Sequence, residues 1–140
     1  MTTTTFPAPV GDHALDALGA RDRWAKGILW VCALGAAVAA ASAAGDVAES
    51  SGAREVAETW KLFGLPVFAG LFVLLARSPR RLAGLWELVI ANKAGLTVAG
   101  ATFLSDSSGG TDYLVIDGAL TVLLITAYVL SRGWTTWTNR

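Results

Sequence analysis

Five polar residues and one tryptophan lie within or at the edges of strongly apolar segments, and their chemistry makes them the candidate functional residues. They are Glu58, Trp60, Lys61, Asn92, Lys93 and Asp117. A charge at membrane depth costs about 2.5–3.5 kcal/mol on insertion scales, so each buried charge needs a partner or a function. Lysine and carboxylate side chains at one level can form an ion pair, or hold a proton for exchange with a bound molecule.

Lys93 is the most informative of these residues. It lies near the middle of the apolar segment 82–104, whereas Asp117 lies about one helical turn inside the next apolar segment. We therefore expect Lys93 near the bilayer midplane, with Asp117 as its best-placed partner and Glu58 as the second choice. Asn92 is the neighbouring residue and can hydrogen-bond one member of such a network.

The cluster has two competing interpretations. In the first, a buried ion pair fixes the register of the helices. In the second, the polar side chains form the floor of a cavity that opens outward or laterally. The second interpretation predicts acid–base or electrostatic roles for three residues: Lys93, Asp117 and Glu58. It predicts ligand contacts for three others: Asn92, Lys61 and Trp60.

Glu87 lies in the same segment as Lys93 but about 240° away around a helix, so the two do not share a face. We expect Glu87 to pair with Arg80 or Arg81, or to reach the cytoplasmic water.

The composition indicates an integral membrane protein. Of 140 residues, 54% are hydrophobic and 16% are charged, and the mean hydropathy is +0.51. A soluble domain carries about a quarter charged residues. The net charge is zero, so nothing indicates a nucleic-acid partner. The sequence predicts an all-α transmembrane four-helix bundle with short loops, whose spans cover about 27–44, 59–76, 82–104 and 113–131.

The Lys and Arg residues outside the spans predict the orientation. Eight fall on one side of the predicted membrane and one, Arg54, on the other. The eight are Arg21, Arg23, Lys26, Arg77, Arg80, Arg81, Arg132 and Arg140. This bias predicts a multi-pass protein of the cell membrane with both termini in the cytoplasm. We expect a cytoplasmic segment 1–26 with a short interfacial helix capped by Asp12, a transmembrane domain 27–134, and a cytoplasmic tail 135–140.

Aromatic and small residues follow the same layout. Most tryptophans lie near the predicted cytoplasmic ends of the spans, and the others near the outer ends, as in an interfacial belt. The cytoplasmic group is Trp24, Trp30, Trp86, Trp134 and Trp137, and the outer group is Trp60 and Tyr113.

Small residues in the first span predict close helix packing, within the bundle or against another protomer. They are Gly27, Cys32, Gly35, Ala36, Ala39 and Ala43.

Metal and cofactor chemistry has little support in the sequence. The chain has one cysteine, Cys32, and one histidine, His13, and no glycine-rich nucleotide-binding motif. We expect neither a metal nor a cofactor.

The stretch from about Trp60 to Trp134 resembles the DoxX-like group of small four-helix membrane proteins. It includes WKLFGLPVFAGLFVLLARSPRRLAGLWELVIANKAGL, with a glycine- and proline-bearing second helix, a short arginine-rich connection and a polar site in the third helix. The resemblance implies a four-helix membrane fold. Members of the group are associated with quinone-linked or thiol-linked redox assemblies, or have no assigned activity. No site residue carries over from it, and the lack of a cysteine pair disfavours the thiol-linked role.

Three functions are open at this point. The first is a membrane module that binds a quinone, isoprenoid or lipid, with acid–base or isomerase chemistry as an extension. The second is an accessory or structural subunit of a membrane complex, and the third is a small proton-coupled transporter. Whether the chain is an enzyme is left open. The expected partners are the bilayer, a hydrophobic small molecule, and further copies of the chain or another membrane protein.

Overall fold

A computed structural model describes residues 12–102, 111 and 113–138, with side chains from residue 18 onward. The described residues are helical and contain no strand. The helices are α1 (Asp12–Ala48), α2 (Ala53–Arg77), α3 (Leu85–Thr102) and α4 (Gly118–Ser131), with a π-helical turn (Tyr113–Asp117) before α4 and a 3-10 turn (Gly133–Thr136) after it. The prediction of an all-α chain with four main helices is confirmed.

Helix α1 joins two elements that the sequence predicts separately. The expected short helix before the first span continues into that span without a break. Gly27 at the predicted boundary does not end the helix, because one glycine costs only about 1 kcal/mol there and no proline is near. The interfacial position of 12–26 stays a prediction, and the side chain of Asp12, the predicted cap, lies outside the described residues.

Three stretches of helix among the described residues are long and apolar enough to cross a membrane. They are Leu18–Ala48, Ala53–Arg77 and Tyr113–Ser131. Helix α3 corresponds to the predicted span 82–104 and has 18 residues, among them Glu87, Asn92 and Lys93. These polar residues lower its hydropathy, so the crossing of the membrane by α3 stays a prediction.

Charged residues segregate to opposite ends of the bundle. Arg80 binds the carboxylate of Asp22, which brings the start of α1 to the loop between α2 and α3. Lys61 lies 3.3 Å from Asp46, which joins α1 and α2 at the other end. We call these ends the basic end (Arg21, Arg23, Lys26, Arg77, Arg80, Arg81 and Arg132) and the acidic end (Asp46, Glu49, Arg54, Glu55, Glu58 and Lys61).

The helices do not pack evenly around the bundle. Helix α1 packs along α2 and against α4, and α3 packs against α4 and the π-helical turn. Helices α2 and α3 are consecutive in the chain but have few contacts with each other. Large apolar side chains cover the outer surface, as for Leu34, Phe63 and Leu88, each at least 66% exposed. An apolar outer surface of this extent is typical of a protein surrounded by lipid.

Small residues make the interface between α1 and α2 close. Cys32 and Ala43 are buried, and Ala36 and Ala39 are half-buried on the same face of α1. Without a hydrophobic drive between helices in lipid, such side chains let backbones approach and gain dispersion contacts. The predicted packing role of the first span is confirmed for these four residues, whereas Gly27 and Gly35 are exposed.

The buried core lies in the half of the bundle next to the basic end. Leu29, Phe72, Val89 and Leu124 are each at most 1% exposed and come from the four helices. The acidic half comprises residues 34–71, 94–102 and 113–123. Among its described residues, Ala43, Gly100 and Asp117 alone are buried. Buried residues are therefore concentrated at one end of the bundle and few at the other.

Trp86 differs from its prediction as an exposed member of the aromatic belt, because it is fully buried. Its indole Nε1 donates a hydrogen bond of 2.8 Å to the carbonyl of Pro79, and its ring meets Tyr128 edge-on at 5.6 Å. Burial is favourable because the only polar atom of the side chain has a partner. A Cβ on Gly133 would collide with the Tyr128 ring and touch Trp86, so the turn after α4 needs glycine there. The other aromatic residues of the predicted belt are exposed.

Candidate functional site

The candidate site is built by two helices that meet near the middle of the bundle. Lys93 lies near the centre of α3. Asp117 closes the π-helical turn that leads into α4. A single π turn changes the direction in which side chains leave a helix, and such turns are frequent at functional sites. Here Asp117 is the one buried residue of the turn, while Tyr113, Leu114, Val115 and Ile116 are exposed.

Lys93 and Asp117 form a buried ion pair. The ammonium Nζ of Lys93 donates a hydrogen bond of 2.8 Å to Asp117 Oδ1, and both residues are 6% exposed. The predicted partner of Lys93 is therefore confirmed. Burial removes most of the solvation of both charges, so the pair is held by its direct contact and by the groups around it.

Phe68 of α2 completes the surroundings of the ammonium. The Lys93 Nζ lies 4.3 Å from the centroid of the Phe68 ring. The negative face of an aromatic ring attracts a cation, and more strongly where water is excluded. This contact spans the weakly packed boundary between α2 and α3. Sequence reasoning missed Phe68, because nothing distinguishes it from the other apolar residues of α2.

Threonines and a glycine support the pair from both helices. Thr97 Oγ1 donates to the carbonyl of Lys93 at 2.8 Å, and Thr121 Oγ1 donates to the carbonyl of Asp117 at 2.7 Å. A Cβ on Gly118 would lie 3.4 Å from the Thr97 methyl group, so α3 and α4 approach closely beside the pair. These contacts hold the backbone that carries both charged side chains.

The other predicted charged residues form a separate cluster at the acidic end. Lys61 Nζ lies 2.7 Å from Glu58 Oε2 and 3.3 Å from Asp46 Oδ2. Glu58 therefore pairs with Lys61 and not with Lys93, which corrects its prediction as the second partner. Glu58 lies three residues before Lys61 on α2, and side chains at this spacing are neighbours on a helix. This spacing explains why the two residues pair. Trp60 is 79% exposed beside them.

Two predicted contacts on α3 are not formed. Asn92 is exposed and takes no part in the Lys93 network. Glu87 accepts hydrogen bonds from Tyr128 Oη at 3.2 Å and from Trp137 Nε1 at 3.0 Å, and not from Arg80 or Arg81. The reason is that Arg80 is engaged elsewhere, by Asp22 and by the carbonyl of Ser131.

The pair has the elements of acid–base and electrostatic chemistry. Lys93 can donate hydrogen bonds to an oxygen acceptor, and Asp117 can exchange a proton, both in a setting where solvent screening is weak. Among the described residues, no group of three His, Cys, Asp or Glu side chains could hold a metal ion.

Comparisons with family models, curated proteins and solved structures return no match to this chain.

Proposed function

We propose that the chain is a four-span membrane protein that binds a hydrophobic small molecule in the acidic half of the bundle, where few residues are buried, above the Lys93–Asp117 pair. The observation that supports this proposal is the position of the Lys93–Asp117 pair. It lies where the dense core ends and the acidic half begins, and Phe68 is its neighbour from α2. Helices α2 and α3 have few contacts with each other, so a ligand can enter between them without separating a tight helix interface.

The chemistry of the pair favours a ligand with a long apolar body and an oxygen-bearing head. A quinone, an isoprenoid or a lipid has both parts. The apolar body replaces lipid contacts along the exposed faces of α2 and α3, and the head accepts a hydrogen bond from Lys93. The DoxX-like layout makes a quinone the first choice. Protonation or isomerisation of the ligand, with Asp117 exchanging the proton, is the reaction that these residues support.

Native mass spectrometry of the protein purified in mild detergent tests the proposal. We expect one adduct per protomer with the mass of a quinone, an isoprenoid or a neutral lipid, released intact by organic extraction. Arg23→Met is a control that removes an exposed cation from the basic end, at the opposite end of the bundle from the acidic half. It should keep the adduct. A protein without an adduct would contradict the proposal and favour an accessory subunit.

The orientation and the number of spans form a second prediction. We expect a fluorescent reporter that matures only in the cytoplasm to be bright when fused after residue 81 or 138, and dark after residue 51 or 110. The reason is the excess of Lys and Arg at the basic end, which is retained in the cytoplasm.

The reporter fused after residue 110 distinguishes a protein with four membrane spans from one with three. If α3 does not cross, the reporter after 110 becomes bright and the one after 138 dark. The inverse of the expected pattern at every site would contradict the cytoplasmic termini.

A further inference from the structure

The basic end carries a groove with an excess of positive charge. It has a volume of about 330 Å³ and is lined by Lys26 of α1, Arg77 at the end of α2, and Ser78, Arg80 and Arg81 of the following loop. Asp22 is the one acidic residue in its lining. Four cations against one carboxylate leave three positive charges uncompensated by the groove's own residues.

The loop that carries these cations is held in place by side-chain contacts. Arg80 Nε donates to the carbonyl of Ser131 at 2.8 Å, and its Nη2 donates to Asp22. Trp86 Nε1 donates to the carbonyl of Pro79 at 2.8 Å. The groove is therefore anchored to α1, α3 and α4 before any ligand arrives, which reduces the entropy lost on binding.

The cations of the groove divide into two groups. Arg80 is neutralised by Asp22 and ties the helices together. Arg77 lies with its guanidinium 5.3 Å from the centroid of the Trp30 ring, a contact that orients it without cancelling its charge. Among the residues whose side chains the structure describes, no carboxylate lies within ion-pair distance of Lys26 or Arg81. These three cations are available to an anion.

We propose that this groove binds the phosphate group of an acidic phospholipid. Arginine and lysine donors match phosphate oxygens, and basic pockets between membrane helices on the cytoplasmic side suit anionic headgroups. The lipid source is favoured because the groove is continuous with exposed apolar side chains. Trp30 is 46% exposed, Leu74 49% and Leu82 37%, so acyl chains can follow the helices from a headgroup held here. The site is independent of the Lys93–Asp117 pair.

The test compares lipid binding by two variants with the same change in charge. Lys26→Gln/Arg81→Gln removes two cations of the groove. Arg21→Gln/Arg23→Gln removes two cations from the same end of α1 outside the groove lining. Delipidated protein in detergent is titrated with phosphatidylglycerol or phosphatidylcholine, and bound lipid is counted by native mass spectrometry. Protection of the buried Cys32 from maleimide labelling confirms that each variant is folded.

We expect the wild-type protein to prefer phosphatidylglycerol, and the groove variant to bind it about 10- to 30-fold more weakly. The control variant should stay near wild type. Equal losses in the two variants would overturn the proposal, because they would show a general attraction to the basic end. Equal binding of phosphatidylglycerol and phosphatidylcholine by the wild-type protein would also overturn the proposal. Displacement of the lipid by millimolar inorganic phosphate would overturn the lipid source and leave a site for soluble phosphate.

Discussion

Breaking the Lys93–Asp117 pair from one side should destabilise the bundle far more than replacing both partners together. Lys93→Met leaves the Asp117 carboxylate without its cation, and Asp117→Asn leaves the buried ammonium without a counter-charge. Both side chains are less than a tenth exposed, at 8% and 9%. Removing one member of a buried pair costs about 3–5 kcal/mol of unfolding free energy, whereas apolar replacement of both is often neutral. We therefore expect Lys93→Met/Asp117→Leu to be near wild-type stability.

The single cysteine provides the measurement. Cys32 is 3% exposed in the core, so a maleimide reacts with it when the bundle opens. The temperature at which labelling is half complete reports stability in detergent. Lys61→Met is the control for a more exposed pair, in which Lys61 is 42% and Glu58 17% exposed, and it should cost less than either single variant. A double variant as unstable as the single ones would show that the two charges are not coupled.

The same double variant separates folding from ligand binding. Because it should stay folded, loss of the adduct in native mass spectrometry cannot come from unfolding. We expect the adduct to be absent, since neither the hydrogen-bond donor nor the proton-exchanging group is left. If a folded double variant keeps the adduct, the ligand lies elsewhere and the pair acts only on helix register.

The position of a residue along its helix can be read from the sequence. For this reason the sequence predicts the Lys93–Asp117 pair correctly. The apolar segment 82–104 and the one that contains Asp117 have lengths matched to a bilayer, so counting residues placed Lys93 and Asp117 at depths where they can meet. The helices overlap the predicted segments for the same reason, but their first residues differ. Helices α1 and α2 begin earlier than predicted, at Asp12 and Ala53, and α3 begins later, at Leu85.

Direction around a helix could not be read in the same way. Helix α3 is apolar on nearly every side, so periodicity does not tell which face is buried. The sequence therefore does not show which of its residues face the core. Trp86 is fully buried, whereas Asn92 is exposed. The hydrogen-bond partners of Glu87 are Tyr128 of α4 and Trp137 after it. No local sequence pattern predicts these partners. The π-helical turn that directs Asp117 inward has no recognised sequence signature either.

Trp86 should contribute more to stability than any other tryptophan of the chain. The Trp86→Ala substitution removes a fully buried ring, its edge-on contact with Tyr128 and its hydrogen bond to Pro79. Losses of this kind cost about 3–5 kcal/mol, because the surrounding side chains refill the cavity only in part. Trp60→Ala is the matched control at 79% exposure, and surface substitutions of that type stay within about 0.5 kcal/mol. Cys32 labelling in detergent compares the two variants directly.

Trp86→Phe divides the contribution of Trp86 between packing and hydrogen bonding. It keeps an aromatic ring against Tyr128 but leaves the buried Pro79 carbonyl without its donor, which costs about 1–3 kcal/mol. A loss as large as that of Trp86→Ala would mean that the bond to the loop is the main contribution. Because the same loop carries Arg80 and Arg81, the phenylalanine variant should also weaken phosphatidylglycerol binding. Equal effects of the Trp86 and Trp60 alanine variants would contradict the central place of Trp86 in the core.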